Sequence, residues 1–269
     1  MSLIESIMNE QNSKFWWNEY FKKKWDNLDG RKQTRFFMQT IVSNLPNPVI
    51  NKISKYRSVL DWGCALGQGV DVLTKTFTKT KIFGLDFSTI AIDKAKELYP
   101  KYNFYSDPLE KINKKFDCII ASNCLEHFSD PLKVLKNHLE FTNYIYILLT
   151  PFEEINRIES HKITFYKKSF PKNANDFKRL FRKVINTSRT PYWTGNQILV
   201  VYVRHDIERL LKEEIIKDMI KENKKLKNQV DNVGFEMQNM EREYNSIVQS
   251  TYFRLWQHYC RVRDQMKNK

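Results

Sequence analysis

LDWGCALGQGVDVL, residues 60–73, holds three of the seven glycines in the chain, Gly63, Gly67 and Gly69. The apolar run before it, SVLDW from Ser58, reads as a strand that closes on Asp61. The run after it, Val70 to Phe77, has helical periodicity. Glycines between a strand and a helix let a ligand lie against backbone, at the carboxyl end of a strand where open α/β sheets bind their ligands. The spacing is GxxxGxG rather than the GxGxxG of dinucleotide-binding proteins, and alone it decides little.

Working outward, the same pattern recurs. KIFGLD is a second strand ending in Asp86, followed by a helix over Thr89–Leu98 with Ser88 as its N-cap. YNFYSD is a short third strand before Asp107, and FDCIIAS a fourth before Asn123. Asp130-Pro131 opens the next helix, YIYILLTP is a fifth, apolar strand, and QILVVYVR a last one. Such alternation predicts an α/β fold, doubly wound, with a mostly parallel sheet covered by helices on both faces. An acid at Asp86, about 25 residues beyond the glycine loop, suits the two hydroxyls of a ribose. Asp107 falls where an adenine amino group is expected.

In this order and spacing the stretch from Ser58 to Arg204 resembles the class I S-adenosylmethionine-dependent methyltransferases. The resemblance implies a seven-stranded, Rossmann-like sheet with the last strand antiparallel, and S-adenosyl-L-methionine as cofactor. It assigns Asp61, Gly63, Cys64, Gly67 and Gln68 to the methionine end, with Cys64 as packing rather than nucleophile. Asp86, Phe87 and Ser88 go to the ribose, Asp107, Pro108 and Leu109 to the adenine, and Asn123 beside the methionine. A nicotinamide cofactor on the same sheet is the runner-up for this site.

Methyl transfer needs an aligned acceptor and, for a hydroxyl, a base. Glu126 and His127 follow the fourth strand and His161 follows the fifth, so these three are the expected catalytic residues. The segment NCLEH, residues 123–127, also resembles the metal-binding ExxEH of small-RNA and ubiquinone-pathway O-methyltransferases. Asn123 replaces the first Glu there, which weakens a hard-cation site. No metal ligand is therefore assigned, and a divalent metal is the lesser alternative.

The flanks read differently. Phe15, Trp16, Trp17, Tyr20, Phe21 and Trp25 form an aromatic stripe in an N-terminal helical cap, residues 1–45, expected to pack on the methyltransferase domain of residues 46–204, with a lid over a ligand as the alternative. Gln33, Thr34 and Arg35 are candidates to reach the pocket from that cap. Residues 205–269 carry a heptad seam of Ile216, Met219, Asn223, Leu226, Val230, Val233, Met237, Met240, Tyr244 and Ile247, which predicts a coiled coil and a homodimer, with a single long helix folded back on the domain as the alternative. The tail beyond it mixes aromatics with Arg254, Arg261, Arg263, Lys267 and Lys269, which suits equally an anionic membrane surface and a solvated helix that docks its aromatics on a partner such as a polysaccharide-assembly protein.

The 269 residues carry a net charge of +14. A basic run from Lys162 to Lys183 opposes eight cations to Asp176 alone, read either as a solvated helix face or as a sign of an anionic acceptor. Nucleic acid is disfavoured, because no RNA-binding motif is visible. Four cysteines without a CxxC pair, no long apolar run and the polar opening MSLIESIMNEQNSKFWW predict a cytoplasmic protein, with the tail allowing a place at the inner membrane face. The tail and the Pro151–Phe165 segment resemble those of bacterial surface-polysaccharide enzymes. The expected function is thus O-methylation of a sugar or activated sugar. N-methylation of a small amine and a non-catalytic coiled-coil scaffold are the alternatives.

Overall fold

The computed structural model describes residues 10–267. Most of the opening stretch, residues 1–9, and Lys269 of the basic tail lie outside the described residues. The chain divides into two units, residues 1–215 and 216–269.

In the first unit, helices α1 (Lys14–Lys23), α2 (Gly30–Asn44) and α3 (Asn47–Ile53) precede the sheet. Strands β1 (Ser58–Trp62), β2 (Lys81–Leu85), β3 (Asn103–Tyr105), β4 (Phe116–Ser122) and β5 (Thr142–Phe152) then alternate with α4 (Gln68–Thr76), α5 (Thr89–Leu98) and α6 (Pro131–Glu140). The short β6 (Asn173–Ala174), β7 (Phe177–Asn186) and β8 (Asn196–Arg204) complete a sheet of order β3-β2-β1-β4-β5-β8-β7-β6. The first five strands are mutually parallel, and β8 runs antiparallel to β5 over Ile145–Phe152.

The mostly parallel, two-sided sheet agrees with the sequence, but the strand count of seven is corrected to eight. The extra strand is β6, a two-residue arm folded back on Phe177 and Lys178 through Asn175, which sits in the left-handed region at φ 46°. Asparagine tolerates that conformation better than most residues. A helix for the basic run is likewise corrected. Lys178, Arg179, Arg182 and Lys183 lie on β7, next to the edge of the sheet.

Buried positions alternate between the two faces. Val59, Ile82, Ile120, Ile147 and Val201 pack beneath α2 and α4, while Leu60, Phe83, Ile119, Leu148 and Val200 pack against the other layer with Leu135 and Leu139 of α6. With both faces covered, strands such as β5 are apolar at successive positions. Ser88 and Asp130 cap α5 and α6, each accepting from a backbone N–H three residues on. These caps fix where the chain leaves the carboxyl ends of β2 and β4. The strand ends at Trp62, Leu85, Ser122 and Phe152 therefore share one edge, and the site lies there.

The long helix α7 (His205–Gln249) starts within the first unit, where Leu211 is buried, and α8 (Thr251–Lys267) follows it. In the second unit the whole apolar seam is exposed, from Ile216 to Ile247, with Val230 68% accessible. No helix among the described residues is long and apolar enough to cross a membrane.

Candidate active site

The loop after β1 alternates its backbone, with Gly63, Ala65 and Gly67 in the left-handed region at φ 75°, 48° and 86°. Ala65 accepts this strain, of about 1 kcal/mol, because its N–H donates to Asp86 Oδ2 at 3.0 Å. Asp86 Oδ1 accepts from the Ser88 N–H at 2.9 Å. The Asp86 carboxylate is buried at the end of β2, and burial pushes its pKa up to about 6 despite these two hydrogen bonds. Asp61 is deeper still. Its Oδ2 has no partner among the described residues, and burial, then the charge of Asp86, push it up to about 8. Gly69 is required here, since a Cβ on it would collide with the Asp61 carboxylate.

A cavity of about 660 Å³ opens over these strand ends. Its inner wall is Gly63, Ala65, Asp86, Phe87, Pro108, Leu109 and Asn123. Asn123, left-handed at φ 51°, donates its N–H to the Leu149 carbonyl at the end of β5. Cys64, Gly67, Gln68, Ser88 and Asp61 are buried and are not among the residues that line it. Cys64 is fully buried with its thiol pushed well up by burial, as packing requires. Asp107 is exposed and outside the lining, which continues through Glu110 and its hydrogen-bond partner Asn137.

The outer wall gathers the three expected catalytic residues. Glu126, His127 and His161 offer ligand-type atoms within 4.8 Å of one another. His127 Nδ1 is 3.0 Å from the Ser160 carbonyl, so the proton sits on Nδ1 and Nε2 is left as the acceptor. Burial pushes this imidazole down to about 4, which keeps it neutral at pH 7. His161 Nδ1 faces both carboxylate oxygens of Glu154, at 2.8 and 3.0 Å, and its Nε2 is likewise left over. The Glu126 carboxyl, 1% exposed, accepts from Thr150 Oγ1 at 2.9 Å, and burial pushes it up to about 7 against the pull of His161. Two imidazole nitrogens and one carboxylate are a donor set that suits either proton transfer or a borderline divalent cation.

Sequence reasoning passed over the residues that hold this set. Glu154 sits seven positions before His161 in an irregular loop, without a periodic signal. Asn12 donates to the carbonyls of both His127 and Ser160, tying the two loops together. Trp17 meets His127 edge-on at 5.0 Å, and Trp193 stacks on His161 at 5.9 Å. Of the two readings of the α1 stripe, packing and a lid over a ligand, the second is the one this arrangement suits: Trp16, Trp17, Tyr20, Phe21 and Trp25 line the cavity. Gln33 and Thr34 also reach it, whereas Arg35 pairs with Asp71 instead. None of the eight basic residues between Lys162 and Lys183 lines it.

Cofactor affinity has a pH dependence that follows from Asp86. If ribose hydroxyls donate to this carboxylate, as the resemblance implies, binding favours the ionised form. Below about pH 6 a proton must leave first. The affinity for S-adenosylhomocysteine is therefore expected to be flat above pH 7 and to weaken as pH falls through 6, approaching about tenfold per pH unit. Calorimetry from pH 5 to 7.5 reads this slope, and tighter binding at acid pH would remove Asp86 from the ribose site.

Comparisons with known proteins agree with the fold. No curated protein matches the chain in sequence. Magnesium protoporphyrin IX methyltransferase from Synechocystis PCC 6803, with bound SAM, superposes with a TM-score of 0.55 at 15% identity, covering 71% of this chain and 96% of that one. The plantazolicin methyltransferase BamL, in complex with a triazolic desmethylPZN analog and SAH, gives 0.51 at 16%, covering 75% and 99%. The putative methyltransferase bound to the Haloferax volcanii Trm112 activator gives 0.53 at 14%, covering 70% and 96%. The model of the family described as "Methyltransferase domain" matches residues 31–214, from α2 through β8 and into α7. With that match over most of the sheet and its glycine loop, the chain belongs to the methyltransferase-domain family, as an enzyme of the S-adenosylmethionine-dependent class.

Proposed function

We propose that the protein moves the methyl group of S-adenosylmethionine to a hydroxyl of a sugar, activated sugar or related precursor of a bacterial surface polysaccharide. One observation carries the oxygen-directed part of this reading. The Glu154–His161 pair and His127 present two free Nε2 positions in the same cavity whose inner wall holds Asp86 and the glycine loop.

The cofactor supplies an already activated methyl carbon on a sulfonium, so the protein's work is alignment and proton removal. Held against Asp86 and the glycine loop, the cofactor would supply that methyl carbon to the acceptor oxygen with loss of its carbon–sulfur bond. The hydroxyl proton passes to Nε2 of His161, and the Glu154 carboxylate stabilises the imidazolium that results. The cluster also lies under Trp17 and Trp193, which keep bulk water from the transfer.

The sugar assignment is supported by the resemblance of the tail and of Pro151–Phe165 to surface-polysaccharide enzymes, and by the aromatic walls, which suit the flat faces of sugar rings. Replacing the cellular copy with His161→Gln is expected to remove O-methyl sugars from the hydrolysed surface polysaccharide, read by mass spectrometry of its monosaccharides. An unchanged methyl-sugar content would reject the acceptor class.

The exposed seam of α7 is covered by a second copy of the chain, giving a homodimer. Asn223 within the seam fixes its register, as a buried asparagine does in two-stranded coils. Sedimentation of the full chain is expected to give a dimer, and of a chain ending at residue 215 a monomer. Two monomers would leave the seam to another partner. The enzyme works in the cytoplasm on precursors before export, with its basic aromatic tail turned to the membrane surface or to the assembly machinery.

A further inference from the structure

The segment that leads into α1 reaches the acceptor side of the cavity. Residue 12 sits in the left-handed region at φ 70°, a conformation that asparagine and glycine enter more easily than other residues. From there the Asn12 NH2 uses both of its hydrogens. One goes to the Ser160 carbonyl at 2.8 Å and the other to the His127 carbonyl at 3.3 Å. Its Oδ1 is buried without a partner among the described residues, so the side chain contributes through its donors alone. The matched family domain starts at residue 31, and this contact comes from outside it.

The Ser160 carbonyl is also the atom that fixes His127. It lies 3.0 Å from Nδ1, and a carbonyl can only accept, so it selects the Nδ1–H tautomer and leaves Nε2 bare. The ring lines the cavity, and Nε2 is not one of the buried, unbonded polar atoms of the described residues. Other ties hold the backbone nearby. Lys162 donates its N–H to the Glu126 carbonyl at 2.7 Å, which joins the two loops without help from residue 12. His161 donates its N–H to the Ile158 carbonyl at 3.0 Å, a single turn at the end of a loop whose Ile155 is 96% exposed. That turn shapes the loop but does not fasten Ser160 to the body of the domain. Asn12 does.

We propose that Asn12 is a positioning residue for methyl transfer: by holding the Ser160 carbonyl it keeps His127 in its Nδ1–H tautomer, so that Nε2 faces the methyl acceptor as a hydrogen-bond acceptor. An N–H in that place would instead engage a lone pair of the acceptor oxygen, the electrons that the attack on the methyl carbon needs. What Nε2 does toward a hydroxyl rests on the O-methyltransferase reading above. The tautomer and its dependence on Asn12 do not.

The test uses the full chain labelled with ¹⁵N at its histidine ring nitrogens and saturated with S-adenosylhomocysteine, with saturation checked by calorimetry on the same samples. The His127 signals are assigned by their loss in His127→Gln. Long-range proton–nitrogen correlation spectra at pH 7.5 then show which ring nitrogen carries the proton. The parent is expected to show a protonated Nδ1 and a bare Nε2. Asn12→Gly removes the amide and suits the left-handed backbone, and circular dichroism checks its fold. In that variant the Nε2–H form is expected to appear beside the Nδ1–H form, while S-adenosylhomocysteine still saturates the site. A parent His127 that carries its proton on Nε2 overturns the proposal, whatever the variant does. Unchanged His127 signals in Asn12→Gly overturn it too. So does a variant that no longer folds or binds S-adenosylhomocysteine, because Asn12 would then serve the fold or the cofactor and not His127. Persistence of O-methyl sugars in His161→Gln would sink the hydroxyl reading and leave the tautomer result standing.

Discussion

Asp86→Asn is expected to weaken S-adenosylmethionine binding by about 10²–10⁴-fold. Each hydrogen bond to a charged partner contributes about 1.5–3 kcal/mol, and the ribose supplies two donors, so about 3–6 kcal/mol is at stake. The substitution also sets an amide NH2 against one of two backbone donors, since Ala65 N–H and Ser88 N–H both point at this side chain. Circular dichroism on the same variant separates loss of the site from loss of the fold, and Asp86→Ala, which introduces no donor, is the companion. A folded variant that binds the cofactor within threefold of the parent would place the ribose elsewhere.

His161→Gln is the second large effect, on turnover and not on cofactor binding. A positioned base contributes roughly 10²–10⁴-fold, and the expected loss of kcat lies in that range while cofactor affinity stays within about twofold. Glu154→Gln keeps a hydrogen-bond acceptor near Nδ1 but removes the charge that steadies the imidazolium, so a smaller fall in kcat is expected, with the KM for acceptor little changed. Single-turnover rates with a labelled methyl group read both. An amine acceptor needs no strong base, so a loss of less than tenfold in His161→Gln would favour N-methylation over the oxygen-directed reading.

The parts of this site on regular elements were legible in the sequence. Asp86 and Asn123 stand just beyond strand ends that apolar runs and capping residues announce, and Ser88 and Asp130 act as N-caps where their neighbours predict. Strand β7 was hidden by its own composition. Phe177, Leu180, Phe181 and Val184 fall at helical spacing with cations between them, and a bulge between Arg179 and Phe181 shifts the pairing that would otherwise show a period of two. The α1 stripe left packing and a lid both open for a different reason. An aromatic face at helical spacing looks the same whether it covers a core or a cavity, and only the tertiary arrangement makes Trp17 a neighbour of His127. Glu154, Asn12 and Trp193 act across irregular loops, where no periodicity exists to mark them.

The central claim is that the cavity over Asp86 and the glycine loop is an S-adenosylmethionine site. Calorimetry of the full chain with S-adenosylmethionine, S-adenosylhomocysteine and NADH tests it most directly. The account predicts saturable binding of the first two, one per chain and mutually competitive, with no heat from NADH. Saturable NADH binding, or no binding of either sulfur compound, would contradict it.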